Sequence, residues 1–91
     1  MEFIIIDGAR MTSVEQAHLY LERTLRLPPH YGRNLDALYD CLTDLPNTVF
    51  VVLINGRQMD EQLGEYAARL RRVFWDASNL PYSLRFIENP S

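Results

Sequence analysis

TVFVVLI, residues 48–54, is the stretch that decides the fold of this chain. A run of apolar and β-branched side chains this continuous does not alternate between a wet and a dry face, so it predicts a strand at the centre of a sheet. Asn55 and Gly56 follow directly and mark a turn. We therefore expect the rest of the chain to be arranged around this strand.

Two further stretches predict strands, one near each end of the chain. Residues 3–6, FIII, form a continuous apolar run closed by Asp7 and Gly8, which is typical of a strand buried on both faces and ended by a turn. Residues 82–88, YSLRFIE, alternate apolar with polar side chains, as a strand with one wetter face would. The chain is therefore expected to contain three strands.

The segments between these strands have the hydrophobic periodicity of helices. Thr12 and Ser13 are both candidate N-caps, and Ser13 and Gln16 have the spacing of a capping box. The helix that begins there is predicted to end at about Leu25, before two prolines. Apolar residues recur at helical intervals from residue 59 to residue 77. Gly64 interrupts that stretch and costs about 1 kcal/mol relative to alanine inside a helix, so one helix or two are both compatible with the pattern.

The order of the predicted elements, β, α, α, β, α, β, determines the fold class. Parallel strands need crossover connections, and right-handed crossovers in the sequential order 1-2-3 place every helix on one face of the sheet. We therefore predict a small two-layer α/β domain, a three-stranded parallel sheet with helices packed on one face. Because 91 residues suffice for one core and not for two, residues 1–91 are expected to form a single domain.

Composition narrows the class of protein and of partner. Twelve acidic residues oppose nine basic ones, all arginine, which gives a net charge of −3 and favours a basic partner over nucleic acid. The apolar runs are too short to span a bilayer, and the N-terminus lacks the basic residues of a signal peptide, so a cytoplasmic protein that binds no membrane is expected. The single cysteine, Cys41, fits a reducing compartment.

Charge and hydrophobicity separate cleanly in HYGRNLDALYDCLTD, residues 30–44. If residues 35–43 are helical, the leucines at 35, 38 and 42 cluster within about 60° and predict a buried stripe. Asp36, Asp40 and Thr43 then face the opposite side, and Asp44 extends the row if the helix lasts that far. The stretch therefore predicts an amphipathic helix with a row of carboxylates on its outer side.

This row of carboxylates has two interpretations. A like-charge pair at i, i+4 costs an exposed helix only about 0.2–0.5 kcal/mol, so an ordinary solvated face is one of them. The other is a negative docking face in which the carboxylates, with Tyr31, Tyr39 and His30 as aromatic neighbours, meet a cationic pocket. Asn34 is the expected N-cap, which makes Asp36 favourable for the helix dipole.

Catalytic and metal-dependent functions receive little support. Cys41 and His30 could form a nucleophile and a base, but the helical phase turns Cys41 toward the leucines, where a thiol behaves as a small hydrophobe. The spacing of His30, Asp36 and Asp40 matches no metal motif, and His18 is expected to be a partly buried structural residue. No catalytic residue, metal site or cofactor is therefore expected.

At LPPHYGRNLDALYDCLTD, residues 27–44, the chain closely resembles the barstar family, whose members inhibit a secreted bacterial ribonuclease inside the producing cell. The family segment is also an aromatic-Tyr-Gly-x-Asn-Leu-Asp-Ala-Leu-aromatic-Asp-Cys-Leu-Thr run. The order of elements on both sides agrees with the family's helix-covered parallel sheet, so the resemblance extends over essentially the whole chain. It implies a barstar-like fold and a monomer that forms a 1:1 complex with a ribonuclease.

The resemblance also implies which residues would bind the partner. In the family, one carboxylate of this helix occupies the nuclease pocket for the substrate phosphate, and Asp40 matches it. Asp36 matches a supporting carboxylate one turn earlier, and Asp76, within the pattern Phe-x-acid-Ala, matches a glutamate that adds a second acidic contact. The other implied partner-binding residues are His30, Tyr31, Gly32, Asn34, Leu35, Tyr39 and Thr43.

Several positions depart from the family pattern. His30 replaces a tyrosine, Tyr39 a tryptophan, Arg33 an acid and Asp44 a glycine. Our leading hypothesis is a barstar-like inhibitor of a guanyl-preferring microbial ribonuclease that mimics the substrate phosphate. The alternative, supported mainly by the positive charge of Arg33, is a barstar-like interaction module or antitoxin that binds a diverged toxin or another basic protein. Trp75 is expected to point away from the core without an assigned role.

Overall fold

The computed structural model describes residues 2–79 and 81–89, and it confirms the predicted fold class. In this part of the chain, one parallel sheet has the order β1-β2-β3. Its strands are β1 (Glu2–Asp7), β2 (Val49–Ile54) and β3 (Leu84–Glu88). The helices are α1 (Val14–Thr24), α2 (Leu35–Thr43), α3 (Gly56–Leu63) and α4 (Glu65–Ala77), with a short 3-10 turn at Gly8–Arg10.

The strand β2 is central, as its sequence predicts, but the two faces of the sheet differ in burial. Val51 and Leu53 are almost completely buried beneath the helices, whereas Val52 between them is only half-buried. The prediction that residues 3–6 are buried on both faces is wrong, because Phe3 is 67% and Ile5 59% exposed. All crossover helices lie on one face, so no helix of the described residues covers the second face.

Apolar side chains on this open face pack mainly against one another. Phe3 stacks on Phe50 of the neighbouring strand, with ring centroids 5.0 Å apart. In the next row, Ile5 pairs with Val52 and Val52 with Ile87, which is 49% exposed. Such cross-strand pairs stabilise a sheet even where no second layer covers them.

Local signals place both ends of α1. The Ser13 hydroxyl accepts the backbone N–H of Gln16 at 3.1 Å, which confirms the predicted N-cap. At the other end Leu25 caps the helix, and Arg26 takes a left-handed conformation (φ 54°). The N–H of Leu27 then donates to the carbonyl of Glu22 at 2.9 Å, a Schellman-type closure before the prolines.

The stretch after β2 forms two helices, which resolves the alternatives left open at Gly64. Gly64 has φ 60° and ψ −136°, a conformation accessible essentially only to glycine, and it ends α3 and precedes α4. The change of direction lets α3 pack against the 3-10 turn while α4 packs against α2 and β3. The position of α4 brings Asp76, one of the predicted partner-binding residues, toward α2.

The core lies between the helices and the inner face of the sheet. Its largest buried members include Leu21, Leu38, Leu70 and Phe74, each no more than 1% exposed. Trp75 is 46% exposed, as its helical phase predicts, and its ring contacts Phe86 edge-on with centroids 4.9 Å apart. No helix within the described residues has the length and apolar character needed to cross a membrane.

Candidate partner-binding site

Helix α2 divides into a buried stripe and an exposed acidic side. Leu38 and Leu42 are completely buried, whereas Leu35 at the start of the helix is half-buried. Asp36 and Asp40 are exposed on the other side. The amphipathic pattern of the sequence is therefore confirmed, with its apolar stripe packed into the core and its carboxylates in solvent.

Capping interactions determine where α2 begins and ends. The Asn34 Oδ1 atom accepts the backbone N–H of Ala37 at 2.8 Å, as predicted for the N-cap. The last helical residue is Thr43, and Asp44 is the C-cap. Asp44 thus lies just beyond the helix, so only Asp36 and Asp40 belong to the carboxylate row within regular helix.

The carboxylates of α2 lack a cation of their own. Among residues 2–79 and 81–89, no arginine or histidine forms an ion pair with Asp36, Asp40 or Asp44, and the last turn of α2 contains no basic residue. By contrast, Asp60 and Glu88 share Arg71. This row is therefore a surface of uncompensated negative charge, which is energetically unfavourable in the free chain.

A groove between α2 and α4 collects most of the predicted acidic residues. Its volume is about 380 Å³, and Asp36, Asp40 and Asp76 all line it. Leu35, Tyr39 and Val73 complete the lining. The Asp76 carboxylate lies 3.4 Å from Arg72 Nε one turn earlier on α4, but both side chains are largely exposed, so this pair leaves Asp76 accessible.

A second, larger groove lies on the other side of Asp40. Its volume is about 660 Å³, and it separates α2 from the loop that follows α1. His30, Tyr31 and Gly32 line it from the loop, and Asp40 and Cys41 line it from α2. Asp40 therefore borders both grooves and forms part of the ridge between two concave surfaces.

The loop that borders this groove, residues 28–34, is ordered by few contacts. The backbone N–H of Tyr31 donates to the carbonyl of Pro28 at 2.9 Å, and the Asn34 side-chain amide donates to the carbonyl of Gly32 at 3.3 Å. Arg33 has a left-handed backbone (φ 55°), which costs a non-glycine residue about 1–2 kcal/mol. Side-chain contacts must therefore help to hold this loop.

Arg33 contributes one of those contacts. Its Nε atom donates to Glu22 Oε1 of α1 at 2.9 Å. From the sequence alone, the positive charge of Arg33 could either weaken the attraction to a basic partner or pair with an acidic group on a different one. Because Glu22 lies beside it, the guanidinium charge is partly offset within the chain, and the loop adds less positive potential than its sequence indicates.

Tyr31 contributes another contact, and the predicted binding residue is itself mostly buried. It is 6% exposed, and its hydroxyl lies 2.5 Å from Nδ1 of His18. The other ring nitrogen of His18 lies 2.6 Å from the hydroxyl of Tyr66 on α4. His18 is 1% exposed, more buried than predicted, and burial lowers its pKa while raising the pKa of both tyrosines.

The remaining predicted residues have separate positions. Asn34 and Thr43 line neither groove; Asn34 caps α2, and the Thr43 hydroxyl donates to the carbonyls of Tyr39 and Asp40 at 2.9 and 3.2 Å. Tyr39 meets Tyr82 edge-on, with ring centroids 6.3 Å apart. Tyr66 is the residue that sequence analysis missed, because its position reads simply as part of the apolar side of α4.

The chemistry of Cys41 is that of a structural thiol. Burial, and then the negative charges of Asp40 and Asp44, raise its pKa. A nucleophilic cysteine instead needs a lowered pKa and a nearby positive charge. In the part of the chain that the structure describes, no three His, Cys, Asp or Glu side chains are grouped in a way that could hold a metal ion.

Comparisons with known proteins agree with the fold and with the resemblance at residues 27–44. The family model described as Barstar (barnase inhibitor) matches residues 1–83 of this chain. A protein of Bacillus subtilis (strain 168), named "Putative ribonuclease inhibitor YrdF", is 45% identical over 80 residues. That match covers 85% of this chain and 86% of the relative, so the likeness extends well beyond α2 and its loop.

Proposed function

This chain belongs to the barstar family, and on that premise we propose that it inhibits a guanyl-preferring microbial ribonuclease. In this proposal, the chain acts in the cytoplasm as a monomer, forms a 1:1 complex with a ribonuclease that is normally secreted, and protects the producing cell. It binds by presenting carboxylates where the enzyme expects a substrate phosphate, and it catalyses no reaction.

The observation that carries this proposal is the uncompensated charge of Asp40 on the ridge between two grooves. A ribonuclease binds and cleaves a phosphodiester with cationic groups such as arginine, lysine and protonated histidine. A carboxylate on a rigid helix satisfies those groups without offering a bond that can be cleaved. The repulsion within α2 is thus relieved when the partner supplies its cations.

The surroundings of Asp40 suit a partner with a concave active site. In the proposed complex, the ridge enters the active-site cleft, and the walls of that cleft enter the two grooves. Asp36 and Asp76 meet further basic residues, while Tyr39 and Leu35 supply apolar contact area. His30, Tyr31 and Gly32 contact the partner from the loop side.

The structure weakens the reason for the alternative function, an interaction module or antitoxin for a different class of toxin. That reading rests mainly on the positive charge of Arg33, and Arg33 pairs with Glu22 of the same chain. The loop therefore needs no acidic group on a partner to balance its charge. We accordingly retain the ribonuclease as the proposed target.

An inhibition assay tests the proposal directly. The purified chain is titrated into a panel of purified guanyl-preferring microbial ribonucleases, and cleavage of a short RNA substrate is followed. We expect at least one enzyme to be inhibited at a 1:1 ratio and competitively with substrate, because both ligands need the same phosphate site. Pyrimidine-preferring ribonucleases serve as the control panel. Inhibition that is independent of substrate concentration would contradict the mimicry, and no inhibition of any guanyl-preferring enzyme would contradict the proposed target.

The ionic strength dependence of binding is a further prediction. Salt screens long-range attraction between an acidic inhibitor and a basic enzyme, whereas short-range contacts in the complex are screened much less. Raising the salt concentration from about 0.05 to 0.5 M is therefore expected to slow association by roughly tenfold or more and to change dissociation much less. Stopped-flow fluorescence measures both rates, and equal effects on the two would argue against electrostatic steering.

A further inference from the structure

A chain of three polar side chains crosses the interior beneath the partner-binding site. It runs from Tyr31 in the loop, through His18 on α1, to Tyr66 on α4, and both links are short hydrogen bonds. Apart from the buried Tyr31, His18 is the one buried residue with a polar or charged side chain among the described residues. The hydrogen-bonded chain therefore connects this buried ring to the loop.

The hydrogen-bonding capacity of each group assigns its role. Burial lowers the pKa of His18 and so favours the neutral ring, which has one donor and one acceptor nitrogen. Tyr66 is half-buried, whereas Tyr31 is only 6% exposed. The Tyr31 hydroxyl is buried, and in the described residues its hydrogen-bond partner is His18. Tyr31 therefore donates to Nδ1, and the Nε2–H group of His18 donates to Tyr66.

We infer that His18 is a positioning residue for partner binding, because it accepts the hydroxyl of Tyr31 and thereby holds the loop of residues 28–34 in its binding conformation before a partner arrives. This inference rests on the proposed function. His18 is 1% exposed and cannot touch a partner, so any effect on affinity passes through Tyr31.

The loop has a specific need for this anchor. Two residues have a left-handed backbone, Arg26 just before the loop and Arg33 within it, and few backbone hydrogen bonds oppose their strain. The exposed pair of Arg33 with Glu22 is the other side-chain tie to α1, and such pairs contribute little in water. A buried hydrogen bond at the middle of the loop is therefore the contact best placed to pre-organise it.

Two substitutions at the same position separate the two hydrogen bonds of His18. The terminal atoms of asparagine lie near the position of Nδ1, and those of glutamine near the position of Nε2. His18→Asn therefore keeps an acceptor for Tyr31 and loses Tyr66, whereas His18→Gln keeps a partner for Tyr66 and loses Tyr31. Both changes remove a buried ring, so their effects on global stability are matched.

We expect the two variants to differ in binding. With the ribonuclease that the wild-type chain inhibits, His18→Gln should raise Kd by about tenfold or more, since the binding-competent loop is less populated. His18→Asn and Tyr66→Phe should stay within about threefold of wild type, under conditions in which chemical denaturation shows each chain to be folded. Wild-type affinity in His18→Gln, or equal weakening in His18→Gln and His18→Asn, would overturn the inference.

Measurements on the free chain keep the inference separable from the proposed function. The ¹⁵N shifts of the wild-type ring should show hydrogen on Nε2 and none on Nδ1, and a hydrogen on Nδ1 would overturn the assignment even if neither variant folds. Amide exchange at Tyr31 and Gly32 should accelerate in His18→Gln and remain unchanged in Tyr66→Phe. If the wild-type chain inhibits no ribonuclease while these loop signals appear, the proposed function fails and the positioning role of His18 stands.

Discussion

Asp40→Ala is expected to weaken ribonuclease binding by roughly 30- to 4,000-fold without weakening the fold. Truncating one partner of a desolvated, hydrogen-bonded charge pair costs about 2–5 kcal/mol, a general range to which the barnase–barstar complex itself contributed. In the free chain, Asp40 is exposed and has no ion-pair partner among the described residues. Its removal relieves repulsion from Asp36 and is expected to stabilise α2 by a few tenths of a kcal/mol.

The opposite signs of these two effects make Asp40 a sharp test. Binding is measured by surface plasmon resonance or by inhibition titration, and stability by urea denaturation followed by circular dichroism. Glu61→Ala is the matched control, since it removes the same charge from an exposed position of α3, a helix outside the candidate site. Phosphate mimicry by Asp40 is wrong if Asp40→Ala and Glu61→Ala bind the enzyme equally well.

Phe74→Ala is expected to lower the free energy of unfolding by about 3–5 kcal/mol. Phe74 is 1% exposed on the buried side of α4, and its ring stacks on Phe86 of β3 with centroids 5.1 Å apart. Truncation leaves a cavity where helix and sheet meet. Since domains of this size have a stability of only about 5–14 kcal/mol, the variant should unfold at much lower urea concentration.

Trp75→Ala is the matched control for Phe74→Ala, because the two aromatic residues are adjacent and both contact Phe86. Trp75 is 46% exposed, so its truncation opens a surface and creates no closed cavity. Its loss is expected to cost clearly less than that of Phe74, because about half of the side chain is already in solvent and no closed cavity is left behind. Urea denaturation followed by circular dichroism measures the free energy of unfolding of both variants. Similar losses of stability would mean that the core does not lie on the Phe74 side of α4.

Elements that depend on local chemistry were predictable from the sequence. The position of β2 at the sheet centre follows from its continuous apolar run, and the starts of α1 and α2 follow from Ser13 and Asn34 as N-caps. The sequence shows that Gly64 interrupts the helical pattern, but it does not determine whether one helix continues through the glycine or two helices meet there. The positive φ of Gly64 depends on how α4 packs against the rest of the fold, and local sequence does not specify that packing.

The burial of β1 was mispredicted for a physical reason. An apolar run such as residues 3–6 predicts cover on both faces, yet cover depends on where the crossover helices lie. The order of the predicted elements places every helix on one face of the sheet, and that arrangement leaves Phe3 and Ile5 exposed. The topology was thus the better guide to the environment of this strand than its own hydrophobicity.

In the candidate site, the exposed negative charge of α2 was predictable from the sequence, but the contacts that hold the neighbouring loop were not. The helical spacing of Asp36 and Asp40 correctly predicts that both are exposed on one side of α2. The link from Tyr31 through His18 to Tyr66 joins residues separated by 13 and by 48 positions, so no local pattern reveals it. The pairing of Arg33 with Glu22 likewise depends on the packing of the loop against α1.

The two sides of α2 have a consequence for evolution. Leu38 and Leu42 are buried in the core, whereas Asp36 and Asp40 are exposed. Exposed substitutions of this kind usually change stability by no more than about 0.5 kcal/mol, so variation on this side is nearly invisible to selection for a folded chain. Under the proposed function, lineages that share this scaffold can therefore adapt to a changing enzyme one residue at a time, so that inhibitor and target can evolve together.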